Sequence, residues 1–194
     1  MTTATDTPPP AEKRFTEADL LAMPDDGVRR WLIDGKIVEV GMTVRNHRHA
    51  RVEARIAQLL SNWRDAQPRP RGAVYSGEAG IRLSDTLTVG IDALYLSPEL
   101  AANQTSDDTT LLVGIPTLAV EILSPSDTQE WIAQRVRTYR RAGVPVVWVV
   151  DVEFRTVTVH RPNRPPLPLN EEQELDGGPE LPGFRVPVAR IFED

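Results

Sequence analysis

The sequence predicts a fold of the α/β or α+β class, in which helices pack on a central sheet. Two long stretches repeat apolar residues at helical spacing, and several shorter apolar runs read as strands. Helices and strands are mixed along the chain without an internal repeat, as in a sheet with helices on it. A chain of 194 residues can bury a core large enough to be stable without disulfides. This chain has no cysteine to form them. We predict one domain over residues 13–194, preceded by a polar, proline-rich segment, residues 1–12, that is expected to be disordered.

Composition excludes several classes of protein. Without cysteine the chain has no thiolate metal site and no cysteine nucleophile, and a reducing cytosol is the expected location. No apolar run approaches the roughly 20 residues that cross a bilayer, so no membrane partner is expected. The formal net charge is −6, so contact with nucleic acid would depend on local basic patches. Two groups of arginines are candidates, although a solvated helix face explains each equally well: Arg45, Arg48, Arg51 and Arg55, and then Arg135, Arg137, Arg140 and Arg141.

The first third of the chain predicts a short helix, a hairpin and a long helix. Thr16 can cap a helix over Phe15–Met23. Asp34-Gly35 lies between two apolar runs and is a strong hairpin signal. A long helix over residues 46–64 has an apolar stripe formed by Val52, Ile56, Leu59, Leu60 and Trp63.

The middle of the chain contains three strand-like stretches, GAVYSGEAGIRL, LTVGIDALYL and LAVEIL. Gly77 and Gly80 suggest a bulge or bend in the first. The other two are more continuously apolar, as expected of strands covered on both faces. The polar residues 97–115 between them predict a long loop.

The last third predicts a second long helix and a hairpin. Ser126 and Gln129 match a capping box at the start of this helix, and Gly143 is suited to its end. The runs VPVVWVVD and FRTVTVHR then form a hairpin through Asp151–Glu153. We expect a surface loop from Pro162 to Asp176, and the run GFRVPVARIF closes the chain as a short apolar segment.

Two acidic residues interrupt apolar strands, Asp92 in VGIDALYL and Glu121 in LAVEILS. A buried carboxylate costs several kcal/mol unless it is paired, protonated or bound to a metal. Two neighbouring carboxylates repel unless a cation lies between them, and oxygen-rich sites of this kind suit Mg²⁺ or Mn²⁺. Glu78, in the preceding strand, is a possible third acid. Pairing with Arg82, Arg135 or the backbone explains the acids equally well.

The helix after Glu121 could bring positive charge to the two acids. Arg135 and Tyr139 are four residues apart and therefore share one face of that helix. An arginine beside two carboxylates and a metal can hold a phosphate or stabilise its charge in the transition state. Ser124 and Ser126 are explained by helix capping. The chain has no G-x-S-x-G elbow, phosphate-binding glycine loop or H-E-x-x-H spacing.

Several motifs, in this order and spacing, resemble the Uma-two family of the PD-(D/E)XK nuclease superfamily: IDGKIVEV, VGIDALYL, VEILSPSD, TYRRAGVPVVWVVD and LPGFRVPVARIF. The resemblance runs from about Phe15 to Phe192. It implies an α/β, restriction-endonuclease-like fold, with a mixed central sheet flanked by helices, that is often dimeric. Asp92 and Glu121 would bind a divalent ion, with the Ile122 carbonyl as a further ligand. The lysine of the superfamily would lie on the following helix, at the position of Arg135.

Three positions depart from the family pattern. Ile91 replaces the usual proline before the aspartate, Trp31 stands where the YELIDG motif has an acid, and Arg135 replaces the lysine. Arginine stays protonated in proteins, so Arg135 can clamp a phosphate but cannot be a general base.

The leading hypothesis is therefore Mg²⁺- or Mn²⁺-dependent hydrolysis of DNA phosphodiesters, weakened or lost through Trp31 and Arg135. Asp92, Glu121 and Arg135 would form the catalytic site, and Tyr139 is a possible accessory residue. Arg45, Arg48 and His49 would contact the nucleic-acid backbone. The alternative is a non-catalytic, dimeric nucleic-acid-binding or protein-interaction module on the same fold.

Overall fold

The computed structural model describes residues 13–24, 26–40, 47–104, 110–125 and 127–193. Five helices are present in these ranges: α1 (Glu17–Leu21), α2 (His47–Ala66), α3 (Pro98–Ala102), α4 (Gln129–Ala142) and α5 (Ala189–Phe192). None of them is long and apolar enough to cross a lipid bilayer. The N-terminal segment predicted to be disordered lies outside the described residues.

The same described ranges contain eleven strands. The first six are β1 (Arg29–Ile33), β2 (Lys36–Val40), β3 (Ala73–Ser84), β4 (Leu87–Leu96), β5 (Leu112–Val113) and β6 (Leu118–Ile122). The other five are β7 (Val146–Asp151), β8 (Thr156–His160), β9 (Leu167–Leu169), β10 (Glu174–Asp176) and β11 (Arg185–Pro187).

Nine of the strands form one mixed sheet in the order β2-β1-β4-β6-β7-β8-β9, with β3 paired to β4 and β5. The β6–β7 and β3–β5 pairs are parallel, and the other pairs are antiparallel. Strands β10 and β11 form a separate ribbon. The predicted α/β class, with helices on a mixed sheet, is confirmed.

Alternating residues of β6 and β7 divide the core into two parts. Val120 and Trp148 belong to a cluster that contains the apolar stripe of α2 and the chain end from Leu175 to Phe192. Ala119 and Val147 belong to a second cluster with Val136 and Tyr139 of α4. The sheet therefore carries α2 on one side of β6 and α4 on the other.

The helix and hairpin predictions hold with shifted boundaries. Thr16 caps α1, which is shorter than predicted, and Asp34-Gly35 turns β1 into β2. The cap of α4 was predicted wrongly. Thr128 is the residue whose side chain accepts from the Trp131 N–H, because the helix begins at Gln129. Ser126 lies outside the described residues.

Two predicted loops contain regular structure. Residues 97–115 include α3, capped by Ser97, and the short strand β5, while 105–109 lie outside the described residues. The stretch from Pro162 to Asp176 contributes β9 to the main sheet and β10 to the ribbon. Each of these elements has five residues or fewer, so no apolar periodicity could show it.

Candidate functional site

The candidate site lies in a gap along one edge of β4. Strand β3 pairs with the other edge from Leu87 to Leu96, apart from a bulge opposite Asp92, whereas β1 and β6 share this edge. Strand β1 pairs with Leu87 and Thr88, and β6 pairs with residues 93–95. Within the described residues, no strand pairs with residues 89–92 on this side. We call this stretch the β4 gap, and it is filled by side chains.

Glu121 lies beside the β4 gap and is 4% exposed. Its Oε1 accepts a hydrogen bond from the Tyr139 hydroxyl at 2.5 Å, and its Oε2 lies 2.5 Å from Arg135 Nη2. Burial is the main cause that raises the pKa of Glu121 to about 8, and the charge of Asp92 adds to it. Arg135 and Tyr139 act in the opposite direction without cancelling the shift.

Arg135 occupies the gap itself. Its Nη2 donates to the Gly90 carbonyl at 3.1 Å and to the Tyr139 hydroxyl at 3.2 Å. The guanidinium also lies 4.2 Å from the ring centroid of Trp31, and Trp31 stacks on Trp131 at 5.7 Å. The side chain is thus held between a carboxylate and an aromatic face, which favours a charged, stacked arginine.

Asp92 closes the β6 end of the gap and is 5% exposed. Its Oδ2 accepts from the Ile122 N–H at 2.8 Å and lies 3.5 Å from His49 Nε2. Burial alone would raise the pKa of Asp92, but its contacts with His49 and Ile122 hold the pKa below its usual value. Asp92 is therefore ionised at neutral pH.

A further acid, Glu53 of α2, lies near the ring nitrogen of His49 that does not face Asp92. His49 is 6% exposed, and its Nδ1 lies 3.7 Å from Glu53 Oε2. Glu53 also accepts a short hydrogen bond from the Gly77 N–H. Gly77 and Glu78, both with positive φ, form a β-bulge between Ser76 and Ala79, opposite Asp92. The bulge predicted at Gly77 is present, whereas Gly80 pairs regularly with Gly90.

The two site acids contact helices on opposite sides of β6 and meet at the end of the β4–β6 ladder. The last ladder pair is Ala93 with Val120, so the next positions outward are Asp92 and Glu121. There the Ile122 N–H bonds to the Asp92 side chain, and the charge of Asp92 acts on Glu121. The alternative explanation of the two acids, pairing with Arg135 or the backbone, also agrees with the structure. Glu121 pairs with Arg135, and Asp92 accepts from the Ile122 N–H.

A divalent cation fits these residues in donor type and in charge. The carboxyl groups of Asp92 and Glu121 supply hard oxygen atoms, and Glu121 adds a second negative charge beside Arg135 once it releases its proton. Burial, and to a smaller extent the charge of Asp92, raises the pKa of Glu121, and a bound cation would favour its ionised form. In the described part of the chain, no group of three or more acidic or histidine side chains could hold a metal ion. A cation here would need backbone and solvent or substrate oxygens as further ligands.

A cavity of about 300 Å³ opens beside the site. His49 lines its wall and joins it to Asp92. Its other walls come from α2, the β6–α4 connection, the first turns of α4 and the β7–β8 turn.

Comparison with known proteins identifies the family. The model of the Uma2 family, described as "Putative restriction endonuclease", matches residues 17–189. The chain belongs to the Uma2 family. The crystal structure of "a putative nuclease" from Anabaena variabilis ATCC 29413 superimposes with a TM-score of 0.75 at 16% identity, covering 92% of this chain and 97% of that one. No curated protein matches the chain. Family and fold together support nuclease function in general terms.

Membership in the Uma2 family confirms the resemblance seen in the sequence, and the structure shows where the predicted site residues lie. Asp92, Glu121, Arg135 and Tyr139 come together. Glu78 instead pairs with Arg29. Arg48 is exposed at the cavity, 3.7 Å from Glu153, and Arg45 lies outside the described residues.

Two of the three positions that the sequence marked as departures, Trp31 and Arg135, are in contact with each other. The ring of Trp31 covers the guanidinium of Arg135. Sequence reasoning missed the Asp92–His49–Glu53 chain and placed His49 at the nucleic-acid backbone. The available signal was the i,i+4 spacing of His49 and Glu53 on one helix face.

Proposed function

We propose that this Uma2-family chain is a metal-dependent nuclease that hydrolyses phosphodiester bonds in DNA. The observation that carries the proposal is the placement of two buried acids, Asp92 and Glu121, at adjacent positions past the end of the β4–β6 ladder, where the charge of Asp92 acts on Glu121 and Arg135 pairs with Glu121. Buried acids with divergent pKa shifts in one place are typical of functional sites.

Asp92, Glu121 and the Ile122 carbonyl would hold a Mg²⁺ or Mn²⁺ ion. When bound, such an ion would supply Lewis-acid polarisation of the scissile phosphate and a more acidic water. Arg135 stays protonated and offers its charge to a phosphate oxygen. Tyr139, by donating to Glu121 Oε1, fixes the carboxylate and leaves it no freedom to turn away. On the α2 side, His49 Nε2 lies 3.5 Å from Asp92 Oδ2, and the Ile122 N–H donates to the same oxygen.

The proposed substrate contacts lie on α2 and the segment before it. Arg48 lines the cavity next to His49, the neighbour of Asp92, and can bind a backbone phosphate, with Arg45 as a further candidate. Homodimerisation is part of the proposal on family grounds. DNA as the substrate agrees with the cytosolic location expected from the absence of cysteine.

The test is cleavage of plasmid and short DNA, with RNA of the same sequence in parallel, in Mg²⁺, Mn²⁺ or EDTA. Asp92→Asn and Glu121→Gln keep the shape of each side chain and should abolish metal-dependent cutting. Asp85→Asn is the matched control, because Asp85 is an exposed acid in the β3–β4 turn. Wild-type cutting that persists in EDTA, or in both site variants, would contradict the proposal.

A second candidate function is a non-catalytic nucleic-acid-binding or protein-interaction module. The contact that favours it is the closed stack of Trp131, Trp31 and Arg135 on Glu121. If Arg135→Lys or Trp31→Glu cuts DNA and the wild-type protein does not, the second candidate function is supported. Trp31 and Arg135 would then be the side chains that block the site in the wild-type protein. Cutting by the wild-type protein excludes this alternative.

A further inference from the structure

An exposed aromatic ring stands at the cavity beside the candidate site. Phe154 is 78% exposed and lines the cavity of about 300 Å³ together with Arg48, His49, Ser124 and Ile132. A single exposed apolar residue is ordinary on a protein surface. This one lines a cavity together with His49, whose Nε2 lies 3.5 Å from Asp92 Oδ2, so its position near the candidate site points to a function.

The turn that carries Phe154 is fixed by hydrogen bonds. Asp151 Oδ1 accepts from the Glu153 N–H at 3.0 Å and from the Phe154 N–H at 2.9 Å. Arg155, the next residue, has φ of +51°, which completes the tight turn between β7 and β8. The ring is therefore presented at a defined place, and a ligand that stacks on it would not have to order the turn first.

The charges around the cavity select the part of a nucleic acid that would enter it. Asp127, Asp151 and Glu153 contribute three acidic groups to the walls, with Arg48 close to Glu153. Such walls disfavour a phosphate inside the cavity. They accept an uncharged ring, whose N–H groups can donate to carboxylates. Arg48, 57% exposed in its side chain, can hold a phosphate at the mouth.

We propose that the cavity receives an unpaired nucleobase, which stacks on Phe154 while its strand passes the acids at the β4 gap. The inference rests on the proposed nuclease function and names its substrate as a single-stranded or locally unpaired nucleic acid. A base inside a continuous duplex has both faces covered by its neighbours and cannot stack on a protein ring. Every base has an aromatic face, so the site is tolerant of sequence.

The experiment measures binding of the full chain in EDTA, so that no cutting is needed. Labelled oligonucleotides of about 12 nucleotides are presented as single-stranded DNA, single-stranded RNA and duplex DNA, and 2-aminopurine in the single strand reports stacking. The variants are Phe154→Ala and Phe154→Trp. Leu167→Ala is the matched control, because it removes another exposed apolar side chain, on β9.

We expect single strands to bind more tightly than the duplex and Phe154→Ala to weaken that binding about tenfold. Phe154→Trp should keep the affinity and quench 2-aminopurine, and Leu167→Ala should match the wild type. Equal affinity of wild type and Phe154→Ala, preference for duplex, or no binding of single strands would each overturn the inference. So would a change in oligomeric state of Phe154→Ala without loss of binding, because a second copy would then cover the ring.

Failure of this inference is distinguishable from failure of the proposed nuclease. Metal-dependent cutting that is unaffected by Phe154→Ala would leave the nuclease in place and remove the stacking site. Single-strand binding that depends on Phe154, in a protein that never cuts, would retain the stacking site and remove the nuclease. Comparison of the DNA and RNA strands then shows which sugar the site accepts.

Discussion

Arg135 makes more of the contacts within the candidate site than a single ion pair would require. It pairs with Glu121, bonds to the Gly90 carbonyl and stacks on Trp31, so one side chain balances a buried acid and fills the β4 gap. A lysine has a compact charge and no planar face, and it would not serve the stack equally well. Trp31 and Arg135 therefore form one structural unit.

Removal of the Arg135 charge should destabilise the protein strongly. In Arg135→Met at pH 8 in EDTA, Glu121 stays buried without its cation and must remain charged and unpaired or take up a proton, so the loss approaches at most the roughly 3–5 kcal/mol of a broken buried pair. Urea unfolding measures the difference. Arg137→Met, on the exposed face of α4, is the control and should change stability by less than about 0.5 kcal/mol. A similar small loss in both variants would show that the Glu121–Arg135 pair is not buried as described.

The pKa of Glu121 makes stability depend on pH in an unusual direction. Its folded-state pKa, about 8, lies above the ordinary value of 4.5, so the folded protein holds this proton more tightly. The contribution of Glu121 is therefore full below pH 4.5 and is lost as the pH rises through 8, by at most about 1.4 kcal/mol per pH unit. Relative to Glu121→Gln, the wild-type free energy of unfolding in EDTA should fall across this window. A difference that is constant with pH would contradict the raised pKa.

Asp92 and Glu121 could be recognised from the sequence because a carboxylate inside an apolar strand needs a special partner. Arg135 and Tyr139 followed from their shared helix face. His49 and Glu53 could not be assigned, because both lie on the stretch of α2 that also carries exposed arginines. Their burial depends on the Gly77 bulge of β3, which is distant in sequence and supplies the N–H that Glu53 accepts.

At the scale of elements, the long amphipathic helices and the tight hairpins were predictable, since each has a local pattern. Helix α3 and strands β5, β9 and β10 were not, because they are short and lie in polar or proline-rich stretches. Strand β9 exists through its pairing with β8, so tertiary context, not local preference, decides it.

The β3 bulge should matter for activity beyond its effect on stability. Gly77 and Gly183 both have positive φ, +85° and +77°, and a Cβ at either would meet nothing within 4 Å. Alanine at each position should therefore cost about 1–2 kcal/mol of backbone strain and no more. Only Gly77→Ala disturbs the N–H that holds Glu53 opposite Asp92.

The measurement compares thermal unfolding and metal-dependent cutting for both glycine variants. We expect similar losses of stability, with cutting lowered at least several-fold in Gly77→Ala alone. Equal cutting by the two variants would show that the bulge supports the fold without positioning Asp92.

At the scale of the whole molecule, the site exists because β1 and β6 share one edge of β4 and leave residues 89–92 between them. No local pattern in the sequence states which strand pairs with which part of β4. Three segments far apart in the chain, β1, β4 and β6 with its following helix, must assemble before Trp31, Asp92 and Arg135 meet. The acids were therefore predictable, while the gap that joins them was not.

The net charge of −6 sets how this molecule can bind a polyanion. Long-range attraction is absent, so affinity for nucleic acid should come from a few arginines near the cavity and should fall with salt. Each lost phosphate contact lowers the slope of log affinity against log salt by about 0.7 on a single strand. Arg48→Ala should therefore bind single-stranded DNA more weakly and with a shallower slope, measured by fluorescence anisotropy from 50 to 300 mM NaCl. Arg164→Ala, an exposed arginine in the loop between β8 and β9, removes the same net charge and should keep the wild-type slope. An equal change in both variants would mean that overall charge, not a contact at the cavity, governs binding.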